Sequence, residues 1–563
     1  MIQEKLKNLI RDALKSLDII ADDIHLEHPA DLSFGDYSSN VALACAKELK
    51  MKPRELAEKI VADIAGRKIK ELEKVEAAGA GFINFFLSKD FFAESLSRAI
   101  AEGEKFGANE SLRGQKIMIE YTDPNPFKEF HIGHLMSNTI GESISRIIEF
   151  HGAEVKRACY QGDVGLHVGK AIYGAMKNGE PKNAEEWGKA YAKGSEAYED
   201  DTAAKKEIDE LNKKIYDRSD KEINNLYDSG RKISLEAFEE MYKRLGTHFD
   251  YYFFESEMAK PGLEMVERFL EKGVFEKSDG AVVFKGEKYN PALHTRVYIT
   301  SQGLPTYEAK ELGLYLTKAE TYPSDISIVI TANEQDGVFG VGLEALRQID
   351  AKLAEKVKHI SHGMLRLSTG KMSSRTGDVI TAESLIVDTE KLVSEKIKDR
   401  NYDKALEKEI IEKVSIGAIK YSILKQAVGG DIIYDFDKSI SFEGDSGPYL
   451  QYSYARAKSV LEKAKEEGIE ASIKEFSEKT PELEKLLYRF PEIVERARKE
   501  YSPHYIATYL IELAGAFNNF YANHKIADKE DANSPYKVAI TLAFATTMKN
   551  GLKLLGIMVP ERM

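Results

Sequence analysis

The chain contains very little cysteine. Its 563 residues include only Cys45 and Cys159, which lie far apart and have no cysteine or histidine neighbour at metal-ligand spacing. The sequence therefore supports neither a disulfide framework nor a zinc site. We expect no protein-held metal and interpret both thiols as packing groups.

The chain also lacks a long apolar run and an excess of positive charge. Its longest strongly apolar stretches, such as residues 538–548, fall short of the roughly 20 residues that cross a bilayer. The first residues alternate charged and apolar side chains, unlike the core of a signal peptide. A net charge of -13 argues against binding to nucleic acid through overall charge, so any RNA contact must use local basic patches. We expect a soluble cytoplasmic protein that binds neither membranes nor DNA.

Apolar residues are abundant enough for several cores. They make up 43% of the chain, and 563 residues exceed the length at which one core keeps growing. Composition and periodicity predict three parts. These are an α+β module over residues 1–112, an α/β domain over residues 113–390 with a helical insertion at about 183–255, and an all-α stem and bundle over residues 391–563.

Periodic apolar residues predict the main helices and strands. Spacings of three and four residues predict an opening helix with Ile2, Leu6, Leu9, Ile10, Ala13, Leu14 and Leu17 on one face. The same spacing predicts a late bundle helix whose apolar stripe holds Ile506, Tyr509, Leu510, Leu513, Phe517, Phe520 and Tyr521. Near the start, residues 34–36 predict a turn before a helix, and AGAGFINFFLS predicts a glycine turn before a strand.

The second part begins with a βαβ pattern. KIMIEY predicts a strand, residues 135–150 a helix and AEVKRACY a second strand. Later, SDISIVIT predicts another buried strand, and a helix follows around residues 343–349. A doubly wound parallel sheet follows from these elements.

The loop between the first strand and its helix holds the first chemical motif, His131-Ile132-Gly133-His134. Such a loop directs backbone N–H groups and the positive end of the helix dipole toward an anion. His131 and His134 can face one side of the first turn and donate ring N–H groups to phosphate. Gly133 leaves room for a nucleotide to approach the backbone. Paired histidines at a helix start also occur as capping or core groups, so both interpretations stay open here.

A second motif lies more than 200 residues downstream and reads Lys371-Met372-Ser373-Ser374-Arg375. Flanking glycines allow its loop to move. Lys371 and Arg375 can wrap a triphosphate, and the serine hydroxyls can add hydrogen bonds. Alone, this run also fits a solvated surface loop. Together the two motifs favour an ATP site, and no other phosphate fingerprint occurs in the required context.

These motifs resemble the two signatures of class I aminoacyl-tRNA synthetases, whose catalytic domain has a Rossmann-type fold. The segments EYTDPNPFKEFHIGHL, FGDYSSNVALACAKEL and GPYLQYSYARAKSVL and the ending VPERM resemble the arginyl-tRNA synthetases in particular. The resemblance covers nearly the whole chain. It implies an arginine–tRNA ligase, in which arginine and ATP form arginyl-adenylate and pyrophosphate. The terminal ribose of tRNA(Arg) then takes the arginyl group.

The resemblance also implies residue roles. The catalytic residues would be His131, His134, Lys371 and Arg375. Further ATP contacts would come from Lys128, Gly133, Met372, Ser373 and Ser374, with Mg²⁺ as the counterion of ATP. Lys128 fits a solvated loop lysine equally well. The substrate arginine would be held at its α-amino and carboxylate end by Glu120 and Asn125, and around its side chain by Tyr307, Glu311 and Gln335.

Two positions depart from the family pattern. Glu311 stands where the family usually has aspartate, which would shift the guanidinium by about one methylene length. Val164 replaces a common tryptophan, which predicts different packing beneath the site.

The resemblance further implies that the N-terminal module touches the corner of the tRNA and that the bundle reads the anticodon. The bundle offers Tyr449, Tyr452, Tyr454, Arg456, Arg496, Arg498 and Tyr521, although most aromatic residues of a helical bundle are core. Members of the family tend to require tRNA before they activate arginine. We expect a monomer. Three alternatives remain. A class I enzyme for another amino acid and a simpler nucleotidyltransferase with the first motif would both lack the paired terminal domains. The third is a catalytically silent synthetase-like tRNA-binding protein, which the intact phosphate motifs oppose.

Overall fold

The first part of the chain is an α+β module. The computed structural model describes residues 2–21, 23–47, 49–368, 380–400, 402–473 and 480–563. Within the module, the elements are α1 (Ile2–Lys15), β1 (Tyr37–Ser39), α2 (Val41–Cys45), α3 (Pro53–Gly66), β2 (Leu72–Ala78), β3 (Phe82–Leu87) and α4 (Lys89–Glu102). The strands form an antiparallel sheet in the order β1-β3-β2.

The module confirms most of its sequence predictions. The opening helix α1 buries Leu6, Leu9, Ile10, Ala13 and Leu14. The glycine-rich segment turns into β3 as predicted. The turn at residues 34–36 leads first into the short strand β1, and the helix after it is only five residues long.

The second part is built on a parallel sheet. Its strands are β4 (Lys116–Glu120), β5 (Glu154–Gln161), β6 (Tyr251–Phe254), β7 (Glu276–Ser278), β8 (Ala281–Lys285), β9 (Thr295–Ile299), β10 (Ile326–Ala332), β11 (Val357–His362) and β12 (Leu365–Leu367). A five-stranded sheet has the order β11-β10-β4-β5-β6 with all pairs parallel. This confirms the predicted doubly wound sheet. A second, antiparallel sheet of β7, β8 and β9 was not predicted.

The helices of this part are α5 (Ile132–Glu149), α6 (Leu166–Asn178), α7 (Ala184–Asp200), α8 (Thr202–Asp217), α9 (Lys221–Leu245), α10 (Glu255–Leu270), α11 (Tyr307–Thr321), α12 (Asp336–Ile349) and α13 (Ala351–Lys356). The stretch expected as a helical insertion contains α7, α8 and α9, and its last residues form β6 of the main sheet. Backbones of α6 and α7 touch, because a Cβ at Gly174 would lie 2.0 Å from the carbonyl oxygen of Ala190.

The last part is mainly helical. Its elements are α14 (Ala382–Ile397), α15 (Lys404–Leu424), β13 (Ile432–Tyr434), α16 (Phe436–Ser439), α17 (Gly447–Glu466), α18 (Glu482–Leu487), α19 (Phe490–Glu500), α20 (His504–Asn523) and α21 (Ser534–Leu554). The expected boundary at residue 390 falls inside α14, and β13 pairs with β12 of the preceding part. No helix in the described ranges is long and apolar enough to span a membrane.

Helix α20 corrects one predicted core position. Six residues of its predicted stripe are buried, but Tyr521 is 41% exposed. Tyr521 follows the buried Phe520 directly, and one residue turns a side chain by about 100° around a helix. The tyrosine therefore points away from the core.

Helix α5 connects the sheet to the bundle. It is buried along most of its length. Near its end, the hydroxyl of Ser143 donates to the carbonyl of Leu554 at 2.9 Å, and Arg146 donates to the carbonyl of Lys553 at 3.0 Å. One apolar core continues from α5 and the sheet into α14–α21. The helix that starts at the signature histidines thus ends against the last helix of the bundle.

Candidate active site

The order of the strands creates a crevice at the carboxyl ends of β4 and β10. The chain continues from β4 to β5 on one side and from β10 to β11 on the other, so the loops after these neighbouring strands diverge. Ligands of doubly wound sheets bind at such a switch point. The residues predicted from sequence that lie on or beside these two loops are Glu120, Asn125, Lys128, His131, Gly133, His134 and Gln335.

His131 and His134 form a stacked pair at the start of α5, with ring centroids 3.6 Å apart. Nδ1 of His131 accepts the N–H of Gly133 at 3.1 Å, and Nδ1 of His134 accepts the N–H of His131 at 3.3 Å. Because each Nδ1 is an acceptor, the proton of each neutral ring lies on Nε2. The histidines therefore do cap the helix, and capping leaves their Nε2–H groups available for a ligand.

Both rings are neutral at physiological pH. Burial, and then the charge of Lys128, lowers the pKa of His131 to about 4. Burial, His131 and Lys128 together hold the pKa of His134 well below its usual value. Neutral imidazoles can donate a hydrogen bond to phosphate without supplying a positive charge.

Position 133 requires glycine for a local structural reason as well as for the predicted approach of a nucleotide. A Cβ at this position would lie 2.9 Å from Cε1 of His131, whose ring folds back over the helix start. Any larger residue would displace that ring. The predicted approach of a nucleotide to Gly133 stays a prediction.

Asn125 and Lys128 lie where three segments meet. A Cβ at Gly162, after β5, would lie 2.2 Å from Oδ1 of Asn125 and 3.1 Å from Oε1 of Glu255, at the start of α10. Nζ of Lys128 lies 4.6 Å from the ring centroid of Tyr191 in α7, a cation–π distance. The helical insertion thus contacts the loop that carries the first motif.

One face of α11 borders the crevice beside Glu120. Tyr307 and Glu311 are four residues apart in this helix and share a face, as predicted. Tyr315 and Lys318 continue that face by four and then three residues. Nζ of Lys318 donates to Oε2 of Glu120 at 2.9 Å, with 3% and 2% of the two side chains exposed.

Glu311 is buried, and within the described chain neither of its carboxyl oxygens has a hydrogen-bond partner of ordinary length, although the hydroxyls of Tyr307 and Tyr315 lie close enough to lower its pKa. Burial, and then the charge of Glu120, raises its pKa to about 8, while Lys318 acts in the opposite direction. The hydroxyls of Tyr160, Tyr298 and Tyr315 are also buried without a partner among the described residues. Burial and then the charge of Glu311 raise the pKa of Tyr315. Such unsatisfied groups are costly, so this cluster indicates a ligand that brings hydrogen-bond donors.

The second motif, residues 371–375, lies outside the described residues, so the roles expected for Lys371, Met372, Ser373, Ser374 and Arg375 stay predictions. The described chain resumes at residue 380 beside the first motif. The N–H of Ile132 donates to the carbonyl of Ile380 at 3.1 Å, and the N–H of Ala382 donates to that of Phe130 at 2.8 Å. Residues 380–382 are therefore tied to the segment that carries His131.

Sequence reasoning missed several polar residues of the site. Tyr315 and Lys318 could have been found, since helical spacing from Glu311 places them on its face. Lys310, which donates to Glu255 and to the hydroxyl of Tyr216, gave no such signal, because its partners are 55 and 94 residues away. His167 gave none either. Its Nε2 donates to the carbonyl of Gly162 at 2.8 Å.

The bundle carries a cluster of cations and aromatic rings. The guanidinium of Arg456 lies 4.7 Å from the ring centroid of Tyr452 and 5.0 Å from that of the exposed Tyr521. Two other predicted residues have internal partners, since Tyr449 accepts from Asn518 and Arg498 pairs with Glu495. Tyr454 is buried, and Arg496 stacks on Tyr505 at 3.9 Å. Among the bundle residues predicted to contact tRNA, one group combines stacking with a strongly exposed ring, namely Arg456, Tyr452 and Tyr521.

Comparison with known proteins decides the family. Residues 95–436 match the profile "tRNA synthetases class I (R), catalytic domain", residues 450–563 "DALR anticodon binding domain" and residues 4–87 "Arginyl tRNA synthetase N terminal domain". The arginine–tRNA ligase of Clostridium kluyveri is 32% identical over 552 residues, 96% of each chain. That of Halothermothrix orenii is 30% identical and covers 100% of this chain and 99% of its own. This chain belongs to the arginyl-tRNA synthetase family.

The fold agrees with this assignment. The Thermus thermophilus arginyl-tRNA synthetase has a TM-score of 0.80 with this chain at 23% identity, with 100% of both chains covered. The enzyme thus has the class I fold, with its parallel-sheet catalytic domain between an N-terminal module and a helical C-terminal domain. Val164, which departs from the family pattern, is buried in an apolar cluster with Phe127 and Trp187.

Proposed function

We propose that the crevice between β4 and β10 activates arginine with ATP and that the enzyme then transfers the arginyl group to tRNA(Arg). The observation that carries this proposal is the buried carboxyl of Glu311, whose two oxygens have no hydrogen-bond partner of ordinary length in the described chain. A guanidinium brings a permanent positive charge and five N–H donors in a planar fork, which suit a carboxylate. Tyrosine hydroxyls around Glu311 can accept further donors. A lysine or neutral substrate would leave more of these acceptors unpaired.

The other end of arginine would lie toward β4. Glu120 and Asn125 would hold its α-amino and carboxylate groups, and Tyr307 and Gln335 would bound its side chain with Glu311. This orientation supports the chemistry, because the carboxylate then faces the loop that ends at His131. The reacting oxygen and the phosphate donors would share one side of the crevice.

Activation would be an in-line displacement at the α-phosphate of MgATP. A carboxylate oxygen of arginine forms a bond to phosphorus, and the bond to the bridging oxygen breaks to release pyrophosphate. Nε2–H of His131 and of His134 would donate to the phosphate oxygens, and Lys128, Lys371 and Arg375 would supply positive charge. Mg²⁺ would accompany ATP as its counterion, held mainly by phosphate and water. Such a reaction depends on positioning and charge stabilisation.

Transfer would use the same crevice. The terminal ribose hydroxyl of tRNA attacks the carbonyl carbon of arginyl-adenylate and loses its proton, and AMP leaves with the electrons of the broken bond. Residues 1–112 would touch the corner of the tRNA, residues 113–390 would hold the reaction and residues 391–563 would read the anticodon. In the bundle, Arg456, Tyr452 and Tyr521 suit an unpaired base, which stacks on aromatic and guanidinium planes. We further propose that the enzyme acts as a cytoplasmic monomer, which sedimentation and cell fractionation can test.

The test is aminoacylation with purified protein, MgATP, unfractionated tRNA and each of the twenty labelled amino acids. We expect charging with arginine alone. His134→Ala and Lys371→Ala should both lower the rate of charging by about a hundredfold or more, whereas Lys352→Ala, which replaces an exposed lysine of α13, is the matched control and should not. Charging with another amino acid would contradict the role of Glu311. Binding of tRNA without any charging would favour the catalytically silent alternative.

A further inference from the structure

Lys318 is a buried cation to which the proposed chemistry gives no role. Its Nζ donates to Oε2 of Glu120 at 2.9 Å, and 3% of its side chain is exposed. The described chain places no donor on the other oxygen of Glu120, Oε1. Lys318 therefore fixes one oxygen of a carboxylate whose second oxygen stays open.

The buried carboxylates of the crevice differ in whether they have a cation. Asp163 pairs with Arg231 at 2.9 Å, and Glu255 pairs with Lys310. Glu120 has Lys318. Within the described chain, the two carboxylates of this set without an ion-pair partner are those of Asp123 and Glu311. Glu120 therefore combines a cation on one oxygen with a free second oxygen, which can accept an N–H of the arginine ammonium.

We infer that Lys318 is a positioning residue for the amino-acid substrate: it holds Oε2 of Glu120 and thereby aims the free Oε1 at the ammonium of arginine. This inference rests on the proposed function. Without Lys318, Glu120 would become a third buried carboxylate without a cation. A buried charge that has lost its partner is costly, so Glu120 would take up a proton or turn away from the crevice, and in either case it would hold the ammonium less well.

Lys318 also acts on Glu311 electrostatically. The charged and titratable groups near Glu311 come from five segments: Glu120 in β4, Asp123 in the loop after it, Tyr160 in β5, Tyr298 in β9, and Tyr307, Tyr315 and Lys318 in α11. Glu120 raises the pKa of Glu311, and Lys318 lowers it by a smaller amount. Removal of Lys318 alone should therefore raise the pKa of Glu311, and removal of both groups should lower it.

The experiment measures the arginine KM, the ATP KM and kcat of aminoacylation from pH 6 to 8.5. In Lys318→Met we expect the arginine KM at pH 7 to rise, by about tenfold for each unit by which the pKa of Glu311 increases. The pH at which the arginine KM levels off should move upward, and the ATP KM should stay within twofold. Lys318→Arg should recover most of the loss, because it keeps the cation. Lys420→Met is the matched control, since Lys420 is also buried but donates to the carbonyls of Leu245 and Gly556.

A second variant keeps the inference testable if Lys318→Met does not fold. Glu120→Gln/Lys318→Met removes both charges, and replacement of a whole buried pair is often nearly neutral for stability. The arginine KM of this double variant should level off at a lower pH than that of the wild type. The constant value that it reaches should be higher than in the wild type. The inference is overturned if Lys318→Met keeps the wild-type arginine KM and pH profile, or if its arginine and ATP KM rise equally. Failure of the wild-type enzyme to charge arginine would instead overturn the proposed function.

Discussion

Protonation of Glu311 should control how tightly the enzyme binds arginine. Burial and the nearby Glu120 raise the pKa of Glu311 to about 8, so at pH 7 roughly one tenth of the molecules carry the carboxylate, and at pH 6 roughly one hundredth. Arginine keeps its guanidinium charge throughout this range. If the ionised carboxylate binds the guanidinium, the arginine KM should fall about tenfold per pH unit from pH 6 to 8 and then level off. The arginine KM falls as the pH rises because binding requires the deprotonated carboxylate of Glu311.

The assay is the arginine KM at saturating ATP and tRNA, measured in half-unit steps from pH 6 to 8.5. His131 should not contribute to the change of the arginine KM with pH, because burial and Lys128 lower the pKa of His131 to about 4. Glu311→Gln is the matched control, since it keeps the shape of the side chain and removes its titration. It should have a high arginine KM with little dependence on pH. A wild-type arginine KM that is flat between pH 6 and 8 would refute the assignment of Glu311 to the guanidinium.

Three further predictions concern other parts of the molecule. His134→Ala should lower kcat of arginine activation by about 10²–10³ with little change in arginine KM. The measurement is pyrophosphate exchange with tRNA present, and a higher arginine KM with an unchanged kcat would contradict a phosphate role. Arg456→Ala should raise the KM for tRNA about fivefold to a hundredfold, as expected for loss of one stacking position, whereas Arg498→Ala should not; equal effects would exclude a specific role for Arg456. Burial lowers the pKa of Lys420 to about 7, so the unfolded chain binds more protons between pH 7 and 10.5 and stability should rise there by ~1.4 kcal/mol per pH unit. Lys420→Met should flatten that rise in chemical denaturation, and an unchanged slope would contradict it.

The regular parts of the fold were predictable because their apolar periodicity is strong. The strand at KIMIEY, helix α5 and the next strand form the predicted βαβ unit, and α1 and α20 bury the predicted faces. Elements that contain few residues or depend on distant partners were missed. β6 is four residues long and follows a long helical insertion, and β13 is held by pairing with β12. Local sequence carries little information about such pairings.

The candidate site was predictable where chemistry lies in one segment. His131 and His134 are three residues apart, and the sequence predicted both their position at a helix start and their shared face. The ion pair between Glu120 and Lys318 joins residues 198 positions apart, so no local pattern indicates it. The state of Glu311 could not be predicted either. It depends on burial and on Glu120, and both arise only when α11 packs beside β4.

The placement of α5 suggests why the nucleotide site and the bundle belong to one structural unit. At its start, α5 fixes both histidines through their Nδ1 atoms. At its end, Arg146 donates to the carbonyl of Gly246, directly after α9, and to that of Lys553, in the last turn of α21. A helix is stiff over this length, so a small rotation at the Arg146 end moves the Nε2–H donors at the other. If these donors bind phosphate as proposed, their alignment should depend on how the end of the bundle packs against α5.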